Sequence, residues 1–376
     1  MNDRRKSRPA ATGPLRNIRV LEFAGIGPGP FAAMLLSDMG AEVVTIARPG
    51  QGKRDVGDFI NRGRRVVELD LKNAADVVAV ADLAASCDIL IEGFRPGVME
   101  RLGLGPEELF SRNSRLVYGR MTGWGQDGPL SQTAGHDINY IAITGALDCF
   151  RSDEGDPVSP LNLVGDFGGG ALYLVTGVLA ALNEVWISGR GQVVDAAMCD
   201  GVSNMLTYFH SRRALGLWRD KPRANVLEGA SHFYNTYECA DGGYIAIGAI
   251  EPQFYATLRR LAGLGDAAFD HQRDPNSWPD LKKRTAEIFI TRTRYEWSAL
   301  LAETDACVQP VVTLAEASSH PHLAARGVFV KVGELDQPAP APRFSITPSA
   351  VQGPASGSLE TAADILAEWS ANAGLA

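Results

Sequence analysis

Two segments of this sequence combine an acid/base side chain with neighbouring glycines. The first is Gly135-His136-Asp137-Ile138-Asn139-Tyr140, and the second is Gly165-Asp166-Phe167-Gly168-Gly169-Gly170. Glycines between apolar runs predict loops, and a loop can carry a polar side chain into a cleft. An imidazole and a carboxyl group that face one carbon atom can remove a proton from it and return another. These segments are therefore the first candidates for chemistry.

Each of the two side chains also has a structural interpretation. A single histidine such as His136 often serves only as a hydrogen-bonded structural residue. Asp166 comes shortly before the apolar run 171–182, so its carboxylate could cap the N-terminus of a helix. Capping and catalysis are compatible, because the N-terminal amides of a helix also stabilise an anion that forms in front of them.

Composition excludes several classes of protein. The chain has 376 residues, 45% hydrophobic and 21% charged, which is ordinary for a globular protein large enough for two domains. Its net charge of -8 argues against nucleic-acid binding through the overall field. Five dispersed cysteines without a Cys-x-x-Cys pair predict a reducing compartment, and no metal site is expected.

No uninterrupted apolar stretch reaches the roughly 18 residues of a membrane span, so no membrane association is expected. The first residues, Met1–Pro9, are basic but lack the apolar segment of a secretory signal. We therefore predict a disordered basic tail at residues 1–14 and a cytoplasmic location.

The first half of the sequence alternates strand and helix patterns. Strands are predicted at 18–23, 42–47, 65–71, 88–92, 115–119 and 191–197, with helices at 31–40 and 74–85. This order predicts an α/β fold with a Rossmann-like, doubly wound parallel sheet. The spacing of Gly25, Gly27 and Gly29 does not match a dinucleotide fingerprint, so a nicotinamide cofactor is not expected.

Four basic residues follow the predicted strands: Arg48, Lys72, Arg95 and Arg101. Each by itself is better explained as a solvated surface charge than as a ligand-binding group. In a doubly wound sheet, however, the loops after the strands meet at the carboxyl edge, where such folds bind ligands. Together the four residues predict a pocket for a polyanionic ligand.

The second half predicts a smaller α+β domain. A long helix is expected from Gly201 to Leu217, and residues 201–230 are assigned to a linker between a large domain (15–200) and a small domain (231–325). The small domain should contain a hairpin around Asp241-Gly242-Gly243, a helix after Pro252, helices at 278–292 and 295–303 and a strand at 305–312. The proline-rich residues 326–376 are expected to form an extended return segment to the large domain.

Several longer motifs resemble those of the class III CoA-transferase family. They are Leu21–Gly25, Asn61–Arg65, Leu69–Lys72, Glu92–Gly105, Thr122–Pro129, Asp305–Val308, His320–Leu323 and Pro340–Arg343. The resemblance extends from about residue 15 to residue 350. The family has two branches: CoA-transferases, in which the carboxylate matching Asp166 is the nucleophile, and α-methylacyl-CoA racemases. The segments Ala134–Tyr140 and Gly248–Tyr255 are similar to the racemase branch.

The resemblance implies a role for each candidate residue. His136 and Asp166 would be the acid/base pair, and Glu251 would support His136 through a hydrogen bond, unless it only stabilises the first turn of its own helix. The residues implied to contact CoA and the acyl group are Ile26, Arg48, Leu69, Asp70, Leu71, Lys72, Gly93, Phe94, Arg95, Arg101, Gly135, Asp137, Ile138, Asn139 and Tyr140. No cofactor is implied beyond the CoA of the acyl-CoA substrate. The implied partner is a second copy of the chain in an interlocked homodimer.

The implied reaction is a 1,1-proton transfer at the carbon next to a thioester carbonyl. An imidazole changes its protonation state near neutral pH, and a buried carboxyl group can be held protonated, so one can accept a proton while the other donates. The enolate oxygen needs hydrogen-bond donors, for which backbone N–H groups near Asp137 or at the start of the Asp166 helix are candidates. Two alternatives stay open: a CoA-transferase that uses Asp166 as nucleophile, and a CoA-binding relative without turnover.

Overall fold

The computed structural model describes residues 12–152, 154–355 and 359–372. Contacts divide the chain into two compact units. Unit 1 comprises Met1–Ala146, Ser159–Leu206 and Gly327–Ala376, and unit 2 comprises Leu147–Val158 and Thr207–Arg326. The predicted disordered tail, residues 1–14, lies outside the described residues except for 12–14, where Gly13 packs closely against Met39.

Strands and helices alternate through the first half of the chain and mix more freely in the second. The strands of the described residues are β1 (Arg19–Phe23), β2 (Glu42–Ala47), β3 (Arg64–Glu68), β4 (Ile89–Glu92), β5 (Val117–Thr122), β6 (Val193–Ala197), β7 (Tyr234–Glu238), β8 (Tyr244–Gly248), β9 (Val308–Val311), β10 (Phe329–Val332), β11 (Leu335–Pro338) and β12 (Leu359–Glu360). The α-helices are α1 (Pro28–Asp38), α2 (Ala74–Ala85), α3 (Val98–Arg101), α4 (Pro106–Arg112), α5 (Asp137–Ile143), α6 (Ala146–Cys149), α7 (Leu172–Ser188), α8 (Met198–Met205), α9 (Thr207–Ala214), α10 (Pro252–Ala262), α11 (Trp278–Phe289), α12 (Arg294–Leu301), α13 (Leu314–Ala317), α14 (Pro321–Ala325) and α15 (Ala362–Asn372).

Unit 1 is built on a seven-stranded sheet with the order β12-β3-β2-β1-β4-β5-β6. Every neighbouring pair of strands in it is parallel. Alternate residues of β1 point to opposite faces: Val20 packs in a core cluster with α1 and α7, and Leu21 packs in another with α2, α4 and α15. Helices therefore cover both faces of a parallel sheet, and the predicted doubly wound α/β fold is confirmed.

The strand order of this sheet reverses between β1 and β4. Strands β2 and β3 extend the sheet from one side of β1, while β4, β5 and β6 extend it from the other side. Loops that leave the carboxyl ends of strands at such a point diverge, and the crevice between them is where open α/β sheets bind ligands. The topology alone thus indicates where a functional site is expected.

Unit 2 contains an antiparallel sheet with the order β7-β8-β9. Its core consists of aromatic and aliphatic side chains from this sheet and its helices, among them Phe233, Phe289 and Trp297. The predicted hairpin joins β7 to β8, and Pro252 is the first residue of α10, as expected for a proline at a helix start. The smaller α+β part of the predicted fold is likewise confirmed.

The loop predicted at Gly165–Gly170 is wrong. These residues belong to a π-helical stretch, Leu163–Ala171, that leads directly into α7. Gly169 instead allows α8 to come close, since a Cβ on it would lie 2.5 Å from Cγ2 of Val202. Asn162 occupies the N-cap position of this stretch, so the interpretation of Asp166 as a helix cap is also wrong.

The long helix predicted from Gly201 to Leu217 is divided into α8 and α9 near Leu206. Helix α8 buries Gly201 and Val202 in unit 1, whereas α9 belongs to unit 2 and has no buried residue. The two helices therefore have different packing environments. Apolar periodicity along the chain does not reveal such a change.

The end of the chain is not only an extended segment, which corrects another prediction. Leu359–Glu360 adds β12 to the edge of the parallel sheet, and β10 pairs with β11 in a hairpin. Helix α15 packs on α2 with Ile365 and Trp369 buried in the core. These two residues have the i, i+4 spacing of one helix face, a signal hidden by the proline-rich composition upstream.

One helical stretch, Leu163–Ser188, is long and apolar enough to cross a membrane when judged by length and composition alone. Its residues Leu174, Val178 and Leu182 are buried in the core of unit 1 together with residues of the sheet. Such burial is typical of the central helix of a globular unit, which passes the same length and composition test.

Candidate active site

A cavity of about 400 Å³ opens at the carboxyl ends of β1, β4 and β5 in unit 1. It lies where the strand order reverses, and its walls come from the loops after these strands and from the turn before α5. His136 and Asp166 both line this one cavity. Its size is in the range of small-molecule sites.

The backbone at the start of α5 positions His136. His136 is the N-cap residue of this helix; its N–H donates to Oδ1 of Asn139 at 3.0 Å, and its carbonyl accepts from the Asn139 N–H at 2.8 Å. Next to it, the Tyr140 hydroxyl donates to the carbonyl of Gly135, and the Tyr140 ring packs edge-on against Trp124. These contacts hold the chain so that the exposed imidazole faces the cavity.

The π-helical stretch positions Asp166. The Asp166 N–H donates to Oδ2 of Asp137 at 2.7 Å, and the Asp166 Oδ2 accepts from Nδ2 of Asn162 at 3.1 Å. Gly27 approaches so closely that a Cβ on it would lie 2.6 Å from Oδ2 of Asp166. The backbone at Gly27 also has a positive φ of 68°, which L side chains rarely adopt, so both the close contact and the backbone conformation require glycine there. π-Helical segments are rare and occur frequently at functional sites.

Burial raises the pKa of the Asp166 carboxyl group above the ordinary range of an aspartic acid. The hydrogen bond from Asn162 and the charge of His136 oppose this rise, whereas the negative charge of Asp137 adds to it. A raised pKa favours the protonated acid, which is the form that can donate a proton. The charge of the imidazole thus acts on the carboxyl group across one cavity.

The residues implied to contact CoA or substrate fall into two groups. Six line the cavity: Ile26, Gly93, Phe94, Arg95, Gly135 and Tyr140. The others lie outside its lining, on the loop after β2 (Arg48), on the segment after β3 (Leu69, Asp70, Leu71 and Lys72), at the end of α3 (Arg101) and in the first turn of α5 (Asp137, Ile138 and Asn139). Because β2 and β3 are parallel to β1 and β4, their loops leave the same edge of the sheet as the cavity.

Glu251 belongs to unit 2, where it is the exposed N-cap residue of α10. Its carbonyl accepts the first intrahelical bond, from the Tyr255 N–H at 2.9 Å. The pKa of the Cys307 thiol is raised by burial and further by the charge of Glu251, so the two side chains are neighbours. The predicted hydrogen bond from Glu251 to His136 stays a prediction.

Sequence analysis does not single out two polar residues at this site, Asn162 and Glu92. Asn162 and Asp166 have i, i+4 spacing, which would indicate a contact only if the helix were predicted to begin at Leu163. Glu92 lines the cavity and is buried at the end of β4. The one feature of the sequence that could have indicated Glu92 is its charge at the end of the apolar strand β4.

The arrangement provides what a proton transfer needs from side chains. An imidazole and a carboxyl group with a raised pKa line one cavity, and α5 begins beside them. The N–H groups of Asp137 and Ile138 open this helix and so have no carbonyl partner within it. In the part of the chain that the structure describes, no group of three His, Cys, Asp or Glu side chains could hold a metal ion.

Comparisons with known proteins extend over nearly the whole chain. The profile of CoA-transferase family III matches residues 15–358. The sequence is 44% identical over 359 residues to the α-methylacyl-CoA racemase of Mus musculus, covering 94% of this chain and 93% of that protein. It is 42% identical over 336 residues to the α-methylacyl-CoA racemase of Homo sapiens, covering 89% and 87%. A crystal structure of a CaiB/BaiF family protein from Brucella suis matches with a TM-score of 0.81 at 26% identity, covering 95% of this chain and all of that one.

Proposed function

The chain belongs to CoA-transferase family III, and we propose that it is a racemase that inverts the α-carbon of 2-methylacyl-CoA thioesters. The observation that carries this proposal is that His136 and Asp166, an imidazole and a carboxyl group with a raised pKa, line the same cavity. Two acid/base groups around one carbon atom are the requirement of a 1,1-proton transfer. The high identity to two α-methylacyl-CoA racemases favours the same reaction.

In the proposed reaction His136 removes the α-proton of one epimer, and the electron pair of the C–H bond moves to the thioester carbonyl oxygen. Protonated Asp166 then returns a proton to the opposite face of the same carbon, and the electron pair moves back from oxygen. The step ends with an imidazolium at His136 and a carboxylate at Asp166. The other epimer starts from these states, so the same pair catalyses both directions.

The enolate oxygen is the anion that this reaction must stabilise. We propose as its donor the N–H of Asp137, which belongs to the peptide group shared with the cavity-lining His136 and has no acceptor within α5. The positive end of the helix dipole acts in the same direction, although α5 is short. Each acid/base group is expected to contribute roughly 10²- to 10⁴-fold in rate.

The CoA part of the substrate is proposed to lie along the carboxyl edge of the sheet. Arg95 lines the cavity, and Arg48, Lys72 and Arg101 follow neighbouring elements on the same edge, where they would bind phosphate groups. No cofactor beyond the CoA of the substrate is proposed. The active form is proposed to be an interlocked homodimer in which Glu251 supports His136.

The alternative activity is CoA transfer with Asp166 as the nucleophile. A nucleophilic carboxylate must be ionised, and the burial that raises the pKa of Asp166 works against this state. Racemisation of the second epimer also starts from ionised Asp166, so the raised pKa does not separate the two activities. The 44% and 42% identity to two α-methylacyl-CoA racemases is what favours the racemase.

Incubation of a single epimer of a 2-methylacyl-CoA in deuterated water tests the proposal. Without any acceptor, the wild type should introduce deuterium at the α-carbon and produce both epimers. His136→Ala and Asp166→Ala should each reduce formation of the opposite epimer by roughly 10² or more while the fold is retained, because inversion needs both groups. Each variant should retain deuterium exchange only in the epimer whose α-proton faces the remaining group. Absence of exchange in the wild type, or a hydroxylamine-sensitive acyl adduct at Asp166 when a carboxylate acceptor is added, would favour the transferase instead.

A further inference from the structure

Glu92 is a buried carboxyl group at the cavity for which the proposed proton transfer has no use. It is the last residue of β4, and only 3% of it is exposed. Its Oε2 accepts the backbone N–H of Phe94 at 2.7 Å. Phe94 is the middle residue of the turn Gly93-Phe94-Arg95, all of which lines the cavity. The carboxylate therefore holds the backbone of a cavity wall directly.

The Gly93-Phe94-Arg95 turn has two anchors of different kinds. The Phe94 ring packs edge-on against Phe23, with 5.6 Å between ring centroids, and so joins the apolar core beside the sheet. The hydrogen bond to Glu92 instead orients the peptide group between Gly93 and Phe94. The two anchors thus act on different parts of Phe94, one on its ring and the other on its backbone N–H.

Arg120 connects Glu92 to the neighbouring segments. The two residues are partners in the β4–β5 register, and Oε1 of Glu92 lies 3.7 Å from Nε of Arg120. That Nε has no hydrogen-bond partner among the described residues. The terminal nitrogens of Arg120 donate to Oε1 of Gln126 at 2.6 Å and to Oε1 of Glu100 on α3. One guanidinium thus ties together the loop after β5 and the helix that follows the turn.

We propose that Glu92 is a positioning residue whose carboxylate holds the Gly93-Phe94-Arg95 turn in the conformation that receives the CoA part of the substrate. This inference rests on the acyl-CoA site proposed above. It assigns Glu92 to substrate binding and not to proton transfer, because the side chain contacts the backbone of the turn. The ionised form serves this role best: a carboxylate accepts the Phe94 N–H more strongly than a neutral carboxyl group does, and the positive charge of Arg120, whose Nε lies 3.7 Å from Oε1, stabilises it.

The charges around Glu92 make this role depend on pH. Burial raises the pKa of Glu92 to about 7, against the opposing effects of the Phe94 N–H and Arg120. The other titratable groups near it are Glu100 on α3, Asp195 on β6, Tyr118 on β5, Glu22 on the adjacent β1, and Arg95, His136 and Asp166 at the cavity. If the CoA complex requires the carboxylate, binding lowers the pKa of Glu92 and releases a proton. Binding then tightens as pH rises through about 7.

Calorimetric titration with CoA, which cannot undergo the reaction, tests the inference in the wild type, Glu92→Gln and Glu100→Gln. Glutamine keeps the size of Glu92 and an acceptor oxygen but cannot ionise. At a pH about one unit above 7, Glu92→Gln should bind CoA roughly tenfold more weakly than the wild type, as expected for the loss of a charge-assisted hydrogen bond. About one unit below 7 the difference should shrink to roughly twofold, because the wild type is then mostly protonated as well. Ionisation of CoA itself affects all three proteins equally, so it does not change the ratio of their affinities at a given pH.

Glu100→Gln is the matched control, since it removes a carboxylate from the same Arg120 without touching the turn. At the higher pH it should stay within about twofold of the wild type. At the lower pH it should bind CoA at least as tightly as the wild type, because loss of the Glu100 charge lowers the pKa of Glu92. In the racemisation assay, Glu92→Gln should raise KM while kcat stays within about twofold, the pattern of an interaction lost equally from ground state and transition state.

Three results would overturn the inference. The first is equal affinity of wild type and folded Glu92→Gln at the higher pH, and the second is a fall in kcat without a change in affinity. The third result needs no variant and uses dephospho-CoA, which lacks the phosphate monoester of CoA that titrates near about 6. If the wild type released no proton when it bound dephospho-CoA at about pH 7, the inference would be wrong. Failure of the wild type to bind CoA at all would overturn the acyl-CoA site itself, and is thereby distinguishable from a failure confined to Glu92.

Discussion

Oδ2 of Asp137 accepts the backbone N–H of Asp166 at 2.7 Å, across 29 residues of sequence. Asp137 is the first residue of α5 and follows His136 directly, so this one hydrogen bond joins the segment that carries the imidazole to the helix that carries the carboxyl group. Gly165 permits the contact, since a Cβ there would lie 2.5 Å from Oδ2 of Asp137. The relative placement of the two acid/base candidates therefore depends on Asp137.

Asp137→Asn should shift the pH dependence of kcat for epimerisation towards lower pH. The pKa of Asp166 is raised by burial and, to a smaller extent, by the charge of Asp137, so removal of that charge lowers it. The amide oxygen of asparagine can still accept the Asp166 N–H, so the fold of the site is kept. Asp137→Ala, which loses the acceptor as well, should reduce kcat at every pH. An unchanged or upward-shifted profile in Asp137→Asn would contradict the electrostatic role.

Asn162→Ala should shift the same profile in the opposite direction. Its hydrogen bond to Oδ2 of Asp166 stabilises the carboxylate and lowers the pKa of Asp166, so loss of the bond raises it. The midpoint of the Asp166 limb in a plot of kcat against pH is the measurement. Asn183→Ala, on the exposed side of α7, is the control and should leave the profile in place. Shifts of the same sign in the Asp137 and Asn162 variants would refute this explanation of the pKa of Asp166.

Trp369→Ala should lower the free energy of unfolding by about 3–5 kcal/mol, the usual range for truncating a large buried aromatic residue. Trp369 is 1% exposed in the core between α15 and the sheet, and the Arg19 guanidinium lies over its ring at 5.1 Å from the centroid. Urea denaturation followed by far-UV circular dichroism measures the change. Ser370→Ala, next to it on the exposed side, should change stability by less than about 0.5 kcal/mol. A similar small loss in Trp369→Ala would mean that α15 is not part of the core.

His232 should make the stability of unit 2 depend on pH. It is 1% exposed, its Nε2 lies 2.7 Å from the Tyr255 hydroxyl, and burial lowers its pKa to about 4. An unfolded chain takes up this proton near about pH 6.5, so between these values the unfolded state binds more protons than the folded state. The free energy of unfolding should therefore fall as pH decreases from about 6.5 to about 4, by about 3 kcal/mol in total from this residue.

The comparison of the wild type with His232→Gln isolates this contribution. Glutamine can still donate to the Tyr255 hydroxyl but has no proton to gain in this range. Urea unfolding of both proteins at pH values near 5 and near 7 should show a smaller pH dependence in the variant. Equal pH dependence in the two proteins would show that other groups are responsible.

The sequence by itself determined the elements and the candidate pair. The apolar runs of β1, β2, β4 and β5 and the helix periods between them depend on neighbours only a few residues away, so they predict the parallel sheet correctly. Their residue types and neighbouring glycines indicated His136 and Asp166, the family resemblance implied their roles, and both residues line one cavity. Local patterns were enough to predict these strands and helices, because each pattern reflects which face of a single element is buried.

Tertiary structure alone decided which charged side chains are available to a ligand. Arg62, Arg64 and Arg95 are all arginines near predicted strand ends, yet Arg62 is buried with Asp38 and Arg64 with Glu22, while Arg95 is exposed at the cavity. The hydrogen bonds from the Asp166 N–H to Asp137 and from the Phe94 N–H to Glu92 could not be predicted from the sequence either. The physical reason is that the partner of a charge is set by how distant segments, or a sharply turning backbone, meet in space, and neither periodicity nor residue type encodes that distance.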